Sequence, residues 1–192
     1  MNIIKPNSKK IDTKTDLTSR DILDDAEKLF GRGESDRELT VIKVTNGNGT
    51  PCTWYPNFTK KVEIHLNDKV YIDNGNYIYQ LSYEICHTLF AHKDIRATVF
   101  EEGLCTYFSL IQVRKYYGDI GYDIYLEHTK KSKYAKAFDL VNTILTYDPD
   151  FVIEVRKECP ILKGLDIKHF NTLTSILSKD EIAYLIKLFK NI

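Results

Sequence analysis

The sequence predicts an α+β fold in a single domain, in which a small N-terminal sheet with a helix precedes a helical block. Strand-like patterns end near residue 67, whereas long segments with apolar residues at helical spacing begin after Gly75. No internal repeat or low-complexity linker divides the 192 residues, a length that suits one domain. The domain is expected over residues 17–192. Residues 1–16 lack hydrophobic periodicity and are expected to form a disordered arm.

The N-terminal part predicts one helix and two strands. Residues 19–30 place apolar side chains at helical spacing, and Gly31 ends this helix. Residues 38–45 are rich in β-branched side chains and predict a strand, which a turn-rich segment follows. Residues 61–67 alternate apolar and polar side chains, as a strand with one solvated face does.

The remainder of the chain predicts five helices. The first carries a stripe of Ile and Leu side chains along one face, and Gly118 closes the second. A proline follows Asp148, which predicts that this Asp is the N-cap of the fourth helix. The predicted helices cover residues 77–92, 98–118, 123–146, 149–158 and 179–190.

Composition excludes several classes of partner. The chain has 27 Lys and Arg residues against 27 Asp and Glu residues, so no broad charge attracts nucleic acid or a membrane surface. No apolar run approaches the roughly 18 residues of a membrane span, and no signal peptide is visible. Four scattered cysteines without a C-x-x-C pair are expected to be reduced thiols in a cytoplasmic protein.

Two short motifs carry the chemistry of the sequence. Residues 83–87 read Tyr-Glu-Ile-Cys-His, and residues 101–104 read Glu-Glu-Gly-Leu. On a helix, positions i and i+4 share one face. Zinc hydrolases use H-E-x-x-H for that reason, because two imidazoles meet one metal ion while the intervening Glu polarises its bound water. Here His87 and Glu84 keep their positions, and Tyr83 stands where the first histidine would be.

The flanking residues extend this match to a family. QLSYEICHTLF resembles the Q-L-x-H-E-x-x-H-x-L-F helix of gluzincin zinc metallopeptidases, and EEGLCTYFS resembles their E-G-x-x-x-Y-F helix. The resemblance covers roughly residues 60–117 and implies a zincin-like fold. It implies His87 and Glu102 as metal ligands and Glu84 as general base. It also implies that residues 61–67 form an edge strand to which extended substrate adds.

Tyr83 is open to three interpretations. It is a core aromatic that fills the volume of a lost metal site, or a hydrogen-bond donor that holds the cleft together through Glu102 or the neighbours of Glu84. In the third interpretation it is a tyrosinate ligand; if the protein is an active hydrolase, Tyr83 is expected to be a weak ligand or an oxyanion donor. A phenol with an ordinary pKa of about 10 is a poor zinc ligand near pH 7, so zinc is expected only in the third case.

Three further residues are predicted to face the same cleft: Glu101, Cys105 and His65. Cys105 follows Glu102 by three residues on one helix face, which predicts either a thiol nucleophile paired with His87 or a buried small hydrophobe. His65 would approach only if its strand runs over the site, and His92, five positions after His87, points away from the His87 face. The 13 Tyr residues predict helix packing or an aromatic-lined groove for a peptide.

These residues predict a metallopeptidase-like protein with a degenerate zinc site. It is expected to be a pseudoenzyme or an altered hydrolase that retains a cleft for a peptide or protein partner and needs no cofactor. One alternative is a non-catalytic protein-interaction module. Another is an active zinc-dependent peptidase with Tyr83 as an unusual ligand, and a third is a metal-free hydrolase that uses carboxylates or Cys105.

Overall fold

A computed structural model describes residues 14–33, 38–44, 49–54, 61–71, 73–90 and 96–189. The described chain is mostly helical with one small sheet, which confirms the α+β class. Its main elements are α1 (Lys14–Phe30), β1 (Glu38–Val44), β2 (Cys52–Trp54), β3 (Lys61–Leu66), α2 (Asn74–Thr88), α3 (Val99–Lys130), α4 (Ala135–Tyr147), α5 (Phe151–Glu158) and α6 (Lys179–Leu185). Of the predicted arm, residues 1–13 lie outside the described residues, and Lys14 already belongs to α1.

The sheet has the strand order β1-β3-β2, with β3 parallel to β1 and antiparallel to β2. The alternation predicted for β3 is confirmed, because Val62, Ile64 and Leu66 are buried while Glu63 and His65 are half-buried. The prediction that this strand lies at the edge is wrong. The three-residue strand β2, too short to be recognised from its pattern, pairs with β3 and takes the edge position.

Helix α2 begins at the N-cap Asp73, whose Oδ1 accepts from the Gly75 amide at 2.8 Å. The predicted apolar stripe is buried along α2 and its end, and it packs α2 against α3 and α1. Arg156 of α5 joins the ends of two helices, since its guanidinium donates to the carbonyls of Phe30, Gly31, Arg32 and Leu89. These bonds satisfy carbonyls that helix ends leave without partners, and they hold the end of α2 in place.

Helix α3 is a hairpin of two arms that meet at Gly118. This glycine has φ 70° and ψ −170°, a conformation that is essentially restricted to glycine. On α2 the Tyr79 hydroxyl hydrogen-bonds with Thr129 and, one turn later, the Tyr83 hydroxyl donates to Glu102, although a straight helix would place these two residues of α3 about 40 Å apart. The chain therefore reverses at Gly118, where the sequence predicted a helix end.

Three predicted helix boundaries are corrected. The helix predicted over 123–146 is broken after Lys130, because the Ser132 hydroxyl donates to the Thr129 carbonyl and accepts from the Tyr134 amide in place of helical bonding. Asp148 follows α4 as its C-cap, and α5 begins only at Phe151. The last helix ends at Leu185, and the following residues become extended.

A continuous hydrophobic core joins the helices to the inner face of the sheet. Its largest fully buried side chains are Phe30, Phe90, Phe100, Phe108, Phe170, Ile22, Ile64, Leu66, Leu81, Ile85, Leu104 and Leu110. None of the described helices combines the length and apolarity that crossing a membrane requires.

Candidate functional site

The two motif segments meet where α2 packs against the first turn of α3. Residues 83–87 lie on α2, and Glu101 and Glu102 follow the N-cap Thr98, whose hydroxyl accepts from the Glu101 amide. Two carboxylates in the first turn are favoured by the positive end of the helix dipole. We call Tyr83, Glu84, His87, Glu101 and Glu102 the polar cluster.

Tyr83 is hydrogen-bonded to the carboxylate that the resemblance assigns as a ligand. Its hydroxyl donates to Glu102 Oε2, and its ring lies edge-on to the His87 ring with centroids 4.9 Å apart. The phenol also packs against the margin of the core. Burial, together with the negative charge of Glu102, raises the pKa of Tyr83 well above its usual value. The phenol is therefore an O–H donor, which corresponds to the second interpretation of this residue.

His87 lies between two carboxylates. Its Nδ1 is 2.8 Å from Glu101 Oε1, and its Nε2 is 4.0 Å from Glu102 Oε2. Burial alone would lower the pKa of His87, but the hydrogen bond to Glu101 and the charges of Glu101 and Glu102 outweigh it and raise this pKa to about 10. His87 is therefore an imidazolium at neutral pH, with a proton on each ring nitrogen.

Glu84 lies on another side of α2 and contacts the sheet. The Thr53 hydroxyl of β2 lies 2.9 Å from the Glu84 carboxylate oxygen Oε2 and 2.9 Å from the Glu84 backbone carbonyl. Only 4% of Glu84 is exposed, and burial raises its pKa to about 7, although the charge of His87 and the Thr53 hydrogen bond lower it. Glu84 is thus hydrogen-bonded to the edge strand β2. Its pKa lies near neutral pH.

Two aromatic side chains, Tyr134 and Phe189, lie on the side of the polar cluster that faces α4. Tyr134, just before α4, lies edge-on to Tyr83 with ring centroids 5.9 Å apart. Phe189 stacks on Tyr134 at 5.2 Å, and the Lys133 ammonium lies 5.2 Å from the centroids of both rings. The charge of Lys133 also lowers the pKa of Glu102, which burial raises.

The remaining predicted site residues are placed elsewhere. Cys105 is fully buried in the core, and burial raises its pKa well above the usual value, which favours the interpretation as a buried small hydrophobe. His65 contacts Glu63 on its own strand, with 3.3 Å between Nε2 and Oε2. His92 lies outside the described residues.

Three residues at the cluster were not predicted from the sequence: Thr53, Tyr134 and Phe189. Thr53 belongs to a strand too short to produce an alternating pattern. Tyr134 lies among lysines, a composition typical of a solvated helix face, and Phe189 falls in what reads as the last turn of a helix. The contacts of Thr53 and Tyr134 with the cluster, and of Phe189 with Tyr134, depend on the tertiary fold, and no local signal reports them.

The resemblance implies zinc, but the polar cluster does not fit this ion. Catalytic zinc takes three protein ligands. The conventional donors that face each other here are His87 Nε2 and Glu102 Oε2, which accepts from Tyr83. Among the residues that the structure describes, no three His, Cys, Asp or Glu side chains are arranged to hold a metal ion.

Comparisons of the chain with protein-family models, curated proteins and solved structures returned no match. The resemblance to gluzincin metallopeptidases rests on the motif residues of the sequence. The zincin-like fold and the peptidase ancestry are therefore proposals.

Proposed function

We propose that this protein is a zincin-like pseudoenzyme, which binds a peptide or protein at the cleft beside α2 and α3 without metal-dependent hydrolysis. The observation that carries this proposal is the hydrogen bond from the Tyr83 hydroxyl to Glu102. This hydrogen bond occupies the Glu102 carboxylate, which would otherwise ligate the metal. Its donor, Tyr83, stands at the position of the first metal ligand. The order of the two motif helices supports the zincin-like part.

The charges of the cluster explain how it is stable in this form. A divalent ion would offset the buried carboxylates of Glu101 and Glu102, whose side chains are 4% and 13% exposed. Here the His87 imidazolium supplies a positive charge between them, and the Tyr83 hydroxyl supplies a donor to one of them. The cluster therefore keeps its geometry through protein groups alone.

The sheet provides support for peptide binding. Strand β2 pairs with β3 among the described strands and lies at the edge of the sheet, and Thr53 fastens it to Glu84. Extended peptides bind to sheet edges through main-chain hydrogen bonds. Strand β2 thus takes the part that the resemblance implied for residues 61–67.

Restoring the first ligand tests this proposal. We expect the Tyr83→His variant, after dialysis, to hold about one zinc ion per chain by elemental analysis, because the introduced imidazole would complete a three-ligand set with His87 and Glu102. The wild-type protein and Tyr83→Phe are expected to hold well below one equivalent. Tyr77→His, a matched substitution on the same helix, is expected to add no zinc.

Three outcomes would contradict the proposal. One equivalent of zinc on the wild-type protein would favour the active peptidase with Tyr83 as ligand. A folded Tyr83→His variant that binds no zinc would show that the cluster does not derive from a metal site. Peptide cleavage by the wild-type protein in the presence of a chelator would instead favour an altered, metal-free hydrolase.

A further inference from the structure

A short segment of the chain lies beside the polar cluster in the manner of a bound peptide. After α6 the segment Lys187–Phe189 becomes extended and runs antiparallel to Ala97–Val99, with a β-bridge between Thr98 and Leu188. The Val99 amide donates to the Lys187 carbonyl at 2.9 Å, and the Phe189 amide donates to the Ala97 carbonyl at 2.8 Å. These bonds form immediately before the first turn of α3, which carries Glu101 and Glu102.

The side chain of Phe189 is the anchor of this segment. Its ring is nearly parallel to that of Tyr134, with an interplanar angle of 8° and centroids 5.2 Å apart. Tyr134 in turn contacts Tyr83. A continuous set of ring contacts therefore leads from Phe189 to the polar cluster, and the Lys133 ammonium lies over its outer two rings.

We propose that Ala97–Val99 and Tyr134 form a binding site for an extended peptide with an aromatic residue, and that Lys187–Phe189 fills this site as an internal ligand. Main-chain bonds to Ala97 and Val99 accept any sequence, whereas Tyr134 selects an aromatic side chain. The inference rests on the proposed peptide-binding function and names the ligand class. The site lies apart from the edge strand β2.

The contacts of Lys187–Phe189 are of a kind that a free peptide can also make, so a peptide can take the place of this segment. It is held by two main-chain hydrogen bonds, and its Phe189 ring stacks on Tyr134, contacts the Lys133 ammonium and packs at the margin of the core. Lys187 is exposed, and Phe189 and Tyr134 are only half-buried. Segments with few buried contacts open at a lower free-energy cost than the global unfolding of the protein. A peptide that supplies the same bonds and an aromatic ring can therefore replace the segment.

Removing the internal ring tests the inference in the full chain. The probe is a fluorescent, capped peptide of sequence Lys-Leu-Phe-Lys, and the control peptide has Ala in place of Phe. We expect Phe189→Ala to bind the Phe peptide about tenfold more tightly than the wild-type protein does, because the ring site on Tyr134 becomes vacant. The same variant should prefer the Phe peptide to the Ala peptide by about tenfold, and adding Tyr134→Ala should abolish that preference.

Equal binding by wild type and Phe189→Ala, or no preference between the two peptides, would overturn the inference. Circular dichroism checks the fold, and Phe189→Leu, which keeps an apolar side chain without a ring, replaces Phe189→Ala if the latter unfolds. If Tyr83→His binds zinc but Phe189→Ala gains no affinity for the Phe peptide, this inference alone is overturned. If Phe189→Ala gains that affinity but Tyr83→His binds no zinc, the inference stands and the proposed metallopeptidase ancestry is overturned.

Discussion

Tyr83 is a hydrogen-bond donor to Glu102, and its energetic role follows from the burial of this acceptor. The Glu102 side chain is 13% exposed and lies beside the carboxylate of Glu101. Burial raises the pKa of Glu102, while the Tyr83 hydrogen bond and the charge of His87 lower it. The hydroxyl of Tyr83 thus stabilises a carboxylate that water reaches poorly.

Removing this hydroxyl is expected to destabilise the protein. Tyr83→Phe keeps the ring but leaves a buried carboxylate oxygen without its donor, at a cost of about 1–3 kcal/mol in the free energy of unfolding. Urea denaturation at pH 7 measures this difference. Tyr147→Phe, at an exposed tyrosine of α4, is the control and should stay within about 0.5 kcal/mol of wild type. A Tyr83→Phe variant as stable as this control would mean that water or another group replaces the donor.

At the scale of elements, the hairpin of α3 depends on the backbone of Gly118. A Cβ added there would meet no atom within 4 Å, so a substitution is not opposed by contacts. Its φ of 70° with ψ of −170° is nevertheless a conformation that residues with a side chain avoid. The cost of any substitution at Gly118 is therefore conformational.

Gly118→Ala is expected to lower the free energy of unfolding by about 1–3 kcal/mol, because alanine is strained in this conformation. Chemical denaturation of the variant and of Ile120→Ala measures the effect. Ile120, two residues further on, is 78% exposed and makes a suitable control for a surface change on the same hairpin. If Gly118→Ala matches Ile120→Ala in stability, the reversal at this position does not need a glycine.

Periodicity predicted the elements better than their ends. The apolar stripe of α2 and the alternation of β3 were confirmed, because each pattern repeats over several residues. The break after Lys130 and the start of α5 at Phe151 were missed, because side chains of Ser132 and Asp148 hydrogen-bond locally to backbone amides. Gly118 was recognised as a helix end, but the reversal of the chain depends on its backbone angles.

At the scale of the whole molecule, the candidate site could be predicted only where its residues share a helix. The spacing of Tyr83 and His87 implied one face of α2. The partner residues come from β2, from the segment before α4 and from the segment after α6, and only the packed core brings them together. In the packed structure Cys105 lies in the core, and β2 rather than β3 lies at the edge of the sheet.

Burial of the cluster also makes global stability depend on pH. The pKa of Glu84 is raised from 4.5 to about 7, so the folded protein holds a proton that the unfolded chain releases. Its contribution to stability is present below about pH 4.5 and is lost as the pH rises through about 7. The pKa of His87 is raised from 6.5 to about 10, so its contribution is present below about pH 6.5 and is lost as the pH rises through about 10.

The difference between wild type and Glu84→Gln reports chiefly on the first of these effects, because His87 is present in both proteins and the charge of Glu84 contributes least to the raised pKa of His87. At pH 5 the variant should be more stable by only about 1 kcal/mol, since Glu84 is still protonated in the folded protein and glutamine mimics it. At pH 8 the variant should be more stable by about 2–3 kcal/mol, because it avoids ionising a buried carboxyl. Urea denaturation at pH 5, 6, 7 and 8 measures the difference, with exposed Glu158→Gln as control. A difference that does not change with pH would mean that Glu84 is already ionised at pH 5 in the folded protein.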